Sequence, residues 1–125
     1  MSTLADHGQE FFDWQGIKIV QHETVHKVGT DAVLLASWTA RLVNETPSLI
    51  LDAGTGSGIL ALMMAKTFPA SKIYAVDIDE QALSLAEQNA SNALDGNRII
   101  VSYENIFAPP SSGSPGYHLI ISNPP

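Results

Sequence analysis

The sequence predicts an α/β protein built on a doubly wound parallel sheet. Three observations carry this prediction. Short apolar runs rich in β-branched residues alternate with longer stretches of helical periodicity, one run empties into a cluster of glycines, and the next ends on a carboxylate. Strands that alternate with helices pair in parallel through crossover connections, and such sheets hold ligands beyond the carboxyl ends of their strands.

The elements follow in chain order. "GIKIV", Gly16 to Val20, alternates apolar and polar residues as an edge or lid strand does. "TDAVLLASWTARLV", from Thr30, places Leu35, Trp38 and Leu42 at the spacing of an amphipathic helix, with Thr30 or Asp31 available as N-cap. "SLILDAG" is a continuous apolar strand, and "SGILALMMAKTF" is a helix that starts at Ser57 and is stopped by Pro69. "KIYAVDI" is the next strand. "DEQALSLAEQNASNAL" is a helix whose Asp79 and Glu80 suit its positive end and which stops before Asp95-Gly96. "RIIVSYE" and "YHLIISN" complete the strands, separated by a loop rich in Pro, Gly and Ser, Ala108 to Gly116.

Composition narrows the function. A chain of 125 residues is one domain by length, and 45% hydrophobic with 15% charged residues describes a globular protein. There is no apolar run of membrane-spanning length and no basic-then-apolar leader at the start, so the expected location is the cytoplasm. No cysteine is present, which excludes disulfides and thiolate metal sites. Thirteen acidic against six basic residues give a net charge of −7, the wrong sign for gripping a phosphate backbone.

The ligand signal lies at two strand ends. In "LDAGTGSG", Gly54, Gly56 and Gly58 crowd a strand-to-helix turn, where absent side chains let a ligand approach the backbone and the amides opening the helix face it. Asp77 ends the next strand roughly 20 residues on, where a carboxylate accepts hydrogen bonds from both ribose hydroxyls. Together they point to an adenosine-containing ligand. Gly56, Gly58 and Ala61 also satisfy G-x-G-x-x-A, the nicotinamide-dinucleotide pattern. Against a dinucleotide stands Asp52, a carboxylate ahead of the first glycine. It has no use beside a pyrophosphate but is suited to a cationic amino-acid group.

The D-x-G-x-G-x-G pattern from Asp52 to Gly58 resembles motif I of the class I S-adenosylmethionine-dependent methyltransferases. "LIISNPP", Leu119 to Pro125, resembles the N-P-P-[YF] motif of members that methylate a planar amino group, either adenine N6 or a glutamine amide. Such a conjugated amine is barely nucleophilic. Acceptors aimed at its hydrogens, the Asn123 side-chain carbonyl and the Pro124 backbone carbonyl, restore lone-pair character, and the fixed φ of proline holds them rigid. The aromatic residue that normally follows is absent.

Over nearly the whole chain, "FFDWQGIKIVQHETVHKVGTDAVLLASW" and "YAVDIDEQAL" resemble the bacterial tRNA (adenine-N6)-methyltransferases that modify A37 of a valine tRNA. That resemblance implies a Rossmann-like sheet and S-adenosylmethionine as cofactor. It puts Gly29, Thr30 and Lys27 near the methionine end, Asp77 on the ribose and Ile78 against the adenine. It also puts Asn105 and Ile106 where an Asp-Ile pair usually meets the adenine, and catalysis on Asn123 and Pro124. Asn105 departs from the pattern, although its side-chain oxygen still accepts a hydrogen bond. The family continues well past N-P-P. Residues 1–125 are therefore expected to be the N-terminal portion of a methyltransferase domain, with a lid strand and helix over 1–47, core βαβ units over 48–125, and a sheet incomplete on its C-terminal side. Turnover and tRNA contacts then depend on the remainder. The alternatives are a glutamine-amide protein methyltransferase and a non-catalytic adenosine-binding module.

One motif points elsewhere. His22-Glu23-Thr24-Val25-His26 matches the H-E-x-x-H signature of zinc proteases. That site needs both histidines on one helix face, whereas the I-K-I-V alternation precedes them and Gly29 follows closely. Solvated histidines and no metal are expected. His7 and His118 are isolated and read as surface or strand-end residues.

Overall fold

The computed structural model describes residues 2–4, 9–22, 29–107 and 116–124. The first three strands, β1 (Ser2–Leu4), β2 (Gln9–Trp14) and β3 (Ile17–His22), form an antiparallel sheet in the order β1-β2-β3. β2 and β3 are joined by Gln15 and Gly16, both at positive φ, 47° and 82°. Two such residues in succession match the right-handed twist of a hairpin. The expected lone strand at 16–20 is thus the second arm of a hairpin, with Gly16 in the turn. Its partner escapes a periodicity reading because Phe11 and Phe12 are adjacent and break the alternation.

The parallel sheet contains β4 (Leu49–Ala53), β5 (Lys72–Asp77), β6 (Ile99–Tyr103) and β7 (Leu119–Ser122) in the order β6-β5-β4-β7. From β4 the chain steps outward to β5 and β6, then returns to lay β7 on the other side of β4, with Asp52 level with Ile121 and Asp77 level with Tyr103. The direction reverses between β4 and β7. This is the topological switch point, where two connections leave opposite ways and a crevice opens at the carboxyl ends.

The helices are α1 (Thr30–Leu42), α2 (Ile59–Thr67) and α3 (Glu80–Ser91), with a short 3-10 helix at Leu94–Arg98. Every residue of α2 from Ile59 to Ala65 is buried, as suits a helix that is apolar all round. They form one core with Ile19, Ile50, Ile73 and Ile121. On the other face of the sheet Leu51, Ala53 and Val76 are buried against Tyr74 and Tyr117, and none of the three helices contributes. Lys66 fastens the hairpin to α2, donating to the Gln15 carbonyl at 2.7 Å with its ammonium 5.7 Å from the centre of the Trp14 ring.

Two helices depart from the sequence reading. In α1 the buried residues are Ala32, Ala36 and Thr39, while Trp38 is 62% and Leu42 60% exposed. The small residues face inward. Gly29, without a side-chain cap, occupies the N-cap position expected for Thr30 or Asp31. α3 stops at Ser91, short of Leu94, because the chain tightens into the 3-10 turn. There a Cβ on Gly96 would lie 1.7 Å from the Ala90 carbonyl oxygen, so only glycine passes. Among the described residues no helix is long and apolar enough to cross a membrane.

Candidate functional site

A cavity of about 540 Å³ opens at the carboxyl ends of the parallel strands. Its wall contains Asp52, Gly54 and Gly56 from the end of β4 and the following turn, and Asp77 and Ile78 from the end of β5. Asn105 and Ile106 follow β6, and Asn123 and Pro124 follow β7. Four strand ends therefore bring nine of the candidate residues to one place. Gly29, Thr30 and Gly58 do not line it.

The glycine turn is built from backbone hydrogen bonds. The amides of Gly54 and Thr55 both donate to the Val76 carbonyl at 2.9 Å, tying the turn to β5. Gly58 sits at φ 85° as the N-cap of α2, and a Cβ there would approach Ala86 of α3 to 3.3 Å. The left-handed backbone favours glycine, and the close helix leaves little room for a side chain. Its contribution is to shape the turn from behind.

Asp77 is held by two backbone donors, the Gly56 amide to Oδ2 at 2.9 Å and the Asp79 amide to Oδ1 at 3.0 Å. The carboxylate thus locks the glycine turn to the start of α3, while Asp79 itself caps that helix through the Gln81 amide. Each oxygen retains acceptor capacity for a ligand hydroxyl.

Asp52 is 1% exposed, and its Oδ2 accepts from the Thr55 hydroxyl at 2.7 Å. Burial pushes its carboxyl up from 3.8 to about 7. The Thr55 hydroxyl and the backbone of Ala61 pull the other way, and the nearby charge of Asp77 adds to the rise. A carboxyl so poised gains most from a cationic ligand group, which supplies the counter-charge the protein withholds.

At the β7 corner the Ser122 hydroxyl donates to the Ala53 carbonyl at 2.8 Å, fixing the strand end beside β4. The Asn123 amide nitrogen is buried and has no hydrogen-bond partner among the described residues. A donor orphaned at a cavity wall is the kind of cost a binding site retains.

Asn105 stands at the cavity wall after β6. Its side-chain oxygen accepts the Phe107 amide at 3.0 Å in a local turn and keeps a second lone pair for an adenine amine. That turn presents Phe107, 90% exposed, at the cavity alongside Ile78 and Ile106. Sequence reasoning missed Phe107, Glu104 and the Thr55 contact to Asp52. The three-residue spacing of Asp52 and Thr55 was the available signal for the last. His22 closes β3 in extended backbone, where the zinc-protease pattern needs a helix. Glu23 and His26 lie outside the described residues, and among the described ones no three side chains are grouped to hold a metal.

Residues 24–125 match the family described as the methyltransferase small domain. The chain belongs to that family. Among relatives, it is 37% identical over 114 residues to a tRNA1(Val) (adenine(37)-N6)-methyltransferase of Flavobacterium psychrophilum, a match covering 91% of this chain and 48% of that protein. The chain spans about half the length of the relatives it matches. Its fold is similar to that of the human methyltransferase 10 domain containing protein, with a TM-score of 0.71 at 19% identity over 88% of this chain and 54% of that one. It is also similar to the tRNA (uracil-54, C5)-methyltransferase of Pyrococcus abyssi, solved with S-adenosyl-L-homocysteine, with a TM-score of 0.65 at 21% identity over 94% and 28% of the two chains. At these identities the likeness to solved structures is one of fold. The methyltransferase small domain of this chain is thus a class I Rossmann-like sheet with its cavity at the switch point.

Proposed function

We propose that the cavity binds S-adenosylmethionine and that the full-length protein transfers its methyl group to the N6 amine of an adenine in tRNA. One observation carries this reading: the buried Asp52, the ribose-suited Asp77 and the Asn123-Pro124 corner share one cavity wall. The residues fit the group. Asp77 would take the ribose hydroxyls and Asp52 the cationic amino-acid end, while Ile78 and Ile106 provide the apolar flanks an adenine ring needs. Asn105, its oxygen fixed by the Phe107 amide, would offer its remaining lone pair to the adenine amine. The relatives named as tRNA1(Val) (adenine(37)-N6)-methyltransferases support the substrate.

When bound, S-adenosylmethionine supplies an electrophilic methyl group on a positively charged sulfur. The protein's part is orientation. The Asn123 carbonyl and the Pro124 backbone carbonyl would accept the two hydrogens of the adenine amine and draw it out of conjugation, which aligns its lone pair for in-line attack. With a tRNA substrate the protein would work in the cytoplasm. With a net charge of −7 over residues 1–125, this chain is a poor phosphate binder, so the tRNA grip of the whole protein would rest on other residues.

The test is methyl transfer from labelled S-adenosylmethionine by the full-length protein to unmodified tRNA, read as N6-methyladenosine after digestion. Asn123→Ala should lower kcat by about a hundredfold or more while leaving cofactor affinity within a few-fold. Methylation of a protein glutamine instead, or full activity in Asn123→Ala, would refute the reading.

A further inference from the structure

Asn89 lies in the last turn of α3, yet it is 1% exposed, on the helix face shared with Ala82, Leu85, Ala86 and Ala90. A carboxamide buried among alanines needs partners. It has three: Oδ1 accepts the Val20 amide at 2.8 Å, and Nδ2 donates to the Val20 carbonyl at 2.8 Å and the Ser57 carbonyl at 2.7 Å. Both amide hydrogens are therefore used. The two bonds to Val20 stand in for a neighbouring strand, since Val20 belongs to β3, the last strand of the antiparallel sheet.

The third bond reaches the cofactor turn. The peptide between Ser57 and Gly58 is held at both ends, its carbonyl by Asn89 and its N–H by the Thr55 carbonyl at 2.9 Å. It lies between Gly56, whose amide binds Asp77, and Gly58, which opens α2 at φ 85°. Glycine populates both signs of φ about equally, so a peptide that ends on Gly58 can flip unless it is held. The Ser57 hydroxyl, buried without a partner among the described residues, does nothing to prevent it. Asn89 does.

We propose that Asn89 is a positioning residue for the cofactor turn, locking the Ser57–Gly58 peptide to β3 so that the turn is preorganised for S-adenosylmethionine. The proposal rests on the cofactor reading above. It requires a donor pair and an acceptor in one planar group, which an ionised aspartate and a leucine of similar size both lack. By linkage, a turn stabilised through the clamp must stabilise the clamp in return when ligand binds.

The experiment titrates S-adenosylhomocysteine into wild-type protein, Asn89→Asp and Asn89→Leu by calorimetry, each well below its unfolding temperature. Arg98→Ala serves as a destabilised control, because among the described residues Arg98 bonds Ala65, Phe68, Ser71 and Asp95, all at the opposite end of the sheet. The Asn89 variants should lose about tenfold or more in affinity, the loss expected when a preorganised turn becomes one conformer among several. Arg98→Ala should bind as wild type. Hydrogen exchange on wild-type protein needs no variant to fold: ligand should slow exchange of the Gly58 and Val20 amides together. Folded Asn89 variants with wild-type affinity, or a Val20 amide indifferent to ligand while Gly58 responds, would overturn the clamp. Wild-type protein that ignores the ligand would overturn the cofactor reading and the clamp with it.

Discussion

The two ends of the parallel sheet are built on opposite terms. At the amino end Arg98, Ser71 and the strand-opening amides all find partners. Arg98 donates to the carbonyls of Ala65 at 2.6 Å, Ser71 at 2.6 Å and Phe68 at 3.2 Å, and pairs with Asp95 at 3.1 Å. It thereby caps the carbonyl end of α2 with the charge its dipole favours. The Ser71 hydroxyl donates to the Pro47 carbonyl, and the Lys72 and His118 amides bond Ser48 and Leu49. At the carboxyl end the same sheet carries a buried carboxyl, three glycines at positive φ, two orphaned polar atoms and exposed Ile78, Ile106 and Phe107. One end is arranged for stability and the other carries costs that a ligand would relieve.

The sharpest test of that contrast is Arg98→Ala. Three backbone carbonyls lose a charged donor, and with Arg98 partly exposed the loss should be ~2–4 kcal/mol of stability, seen as a lower urea midpoint with an unchanged slope. Affinity for S-adenosylhomocysteine should stay within about twofold, as expected for distant sites. A large change in affinity would break the division between the ends.

Gly58→Ala attacks the other end and should cost ~1–3 kcal/mol, from left-handed strain and the close approach of Ala86. Unlike Arg98→Ala, it should also weaken ligand binding, because it moves the turn itself. Equal affinity of this variant and wild type would show that the turn's shape is not what the cofactor reads.

Asp52→Asn should separate stability from function. The folded-state pKa of about 7 lies above the ordinary aspartate value of 3.8, so the folded protein holds an extra proton between those values and loses stability as pH rises through that window. About three pKa units set an upper bound of ~4 kcal/mol on that loss. The neutral variant should therefore unfold at a higher temperature than wild type at pH 8, by the equivalent of ~1–3 kcal/mol, yet bind S-adenosylhomocysteine at least about tenfold more weakly. A variant that is both less stable and normal in binding would remove Asp52 from the set of costs kept for function.

Legibility in the sequence follows the same divide. The parallel strands, the glycine turn, Asp77 and the N-P corner were readable because local signals fix them: apolar runs, residues lacking side chains, and a carboxylate at a strand end. The residues that set one element against another were not. Asn89 is polar in the last turn of a helix and reads as surface, although Ala82, Leu85, Ala86 and Asn89 fall at the spacing of one buried face. Arg98 sits at a strand start, and nothing nearby in sequence announces that its partners are the carbonyls of α2 and the turn after it. Long apolar side chains misled in α1, where close packing selects alanine. The Asn105 oxygen is claimed by an amide two residues on, a local contact that composition does not reveal.

The smallest effect is a gradient with pH. If the cationic end of the ligand meets Asp52, binding favours the ionised carboxyl, and that form is depleted as pH falls below about 7. Affinity for S-adenosylhomocysteine should then weaken by up to about tenfold per pH unit between pH 7 and 6 and level off above pH 8. Binding at pH 7 should release a fraction of a proton, visible as a dependence of calorimetric heat on the ionisation enthalpy of the buffer. Asp52→Asn should flatten the gradient and abolish the release. A wild-type affinity that stays flat between pH 7 and 6 would mean instead that the ligand's charge does not meet Asp52. The pH profile therefore decides which of the two acids at the functional end of the sheet faces the ligand's charge.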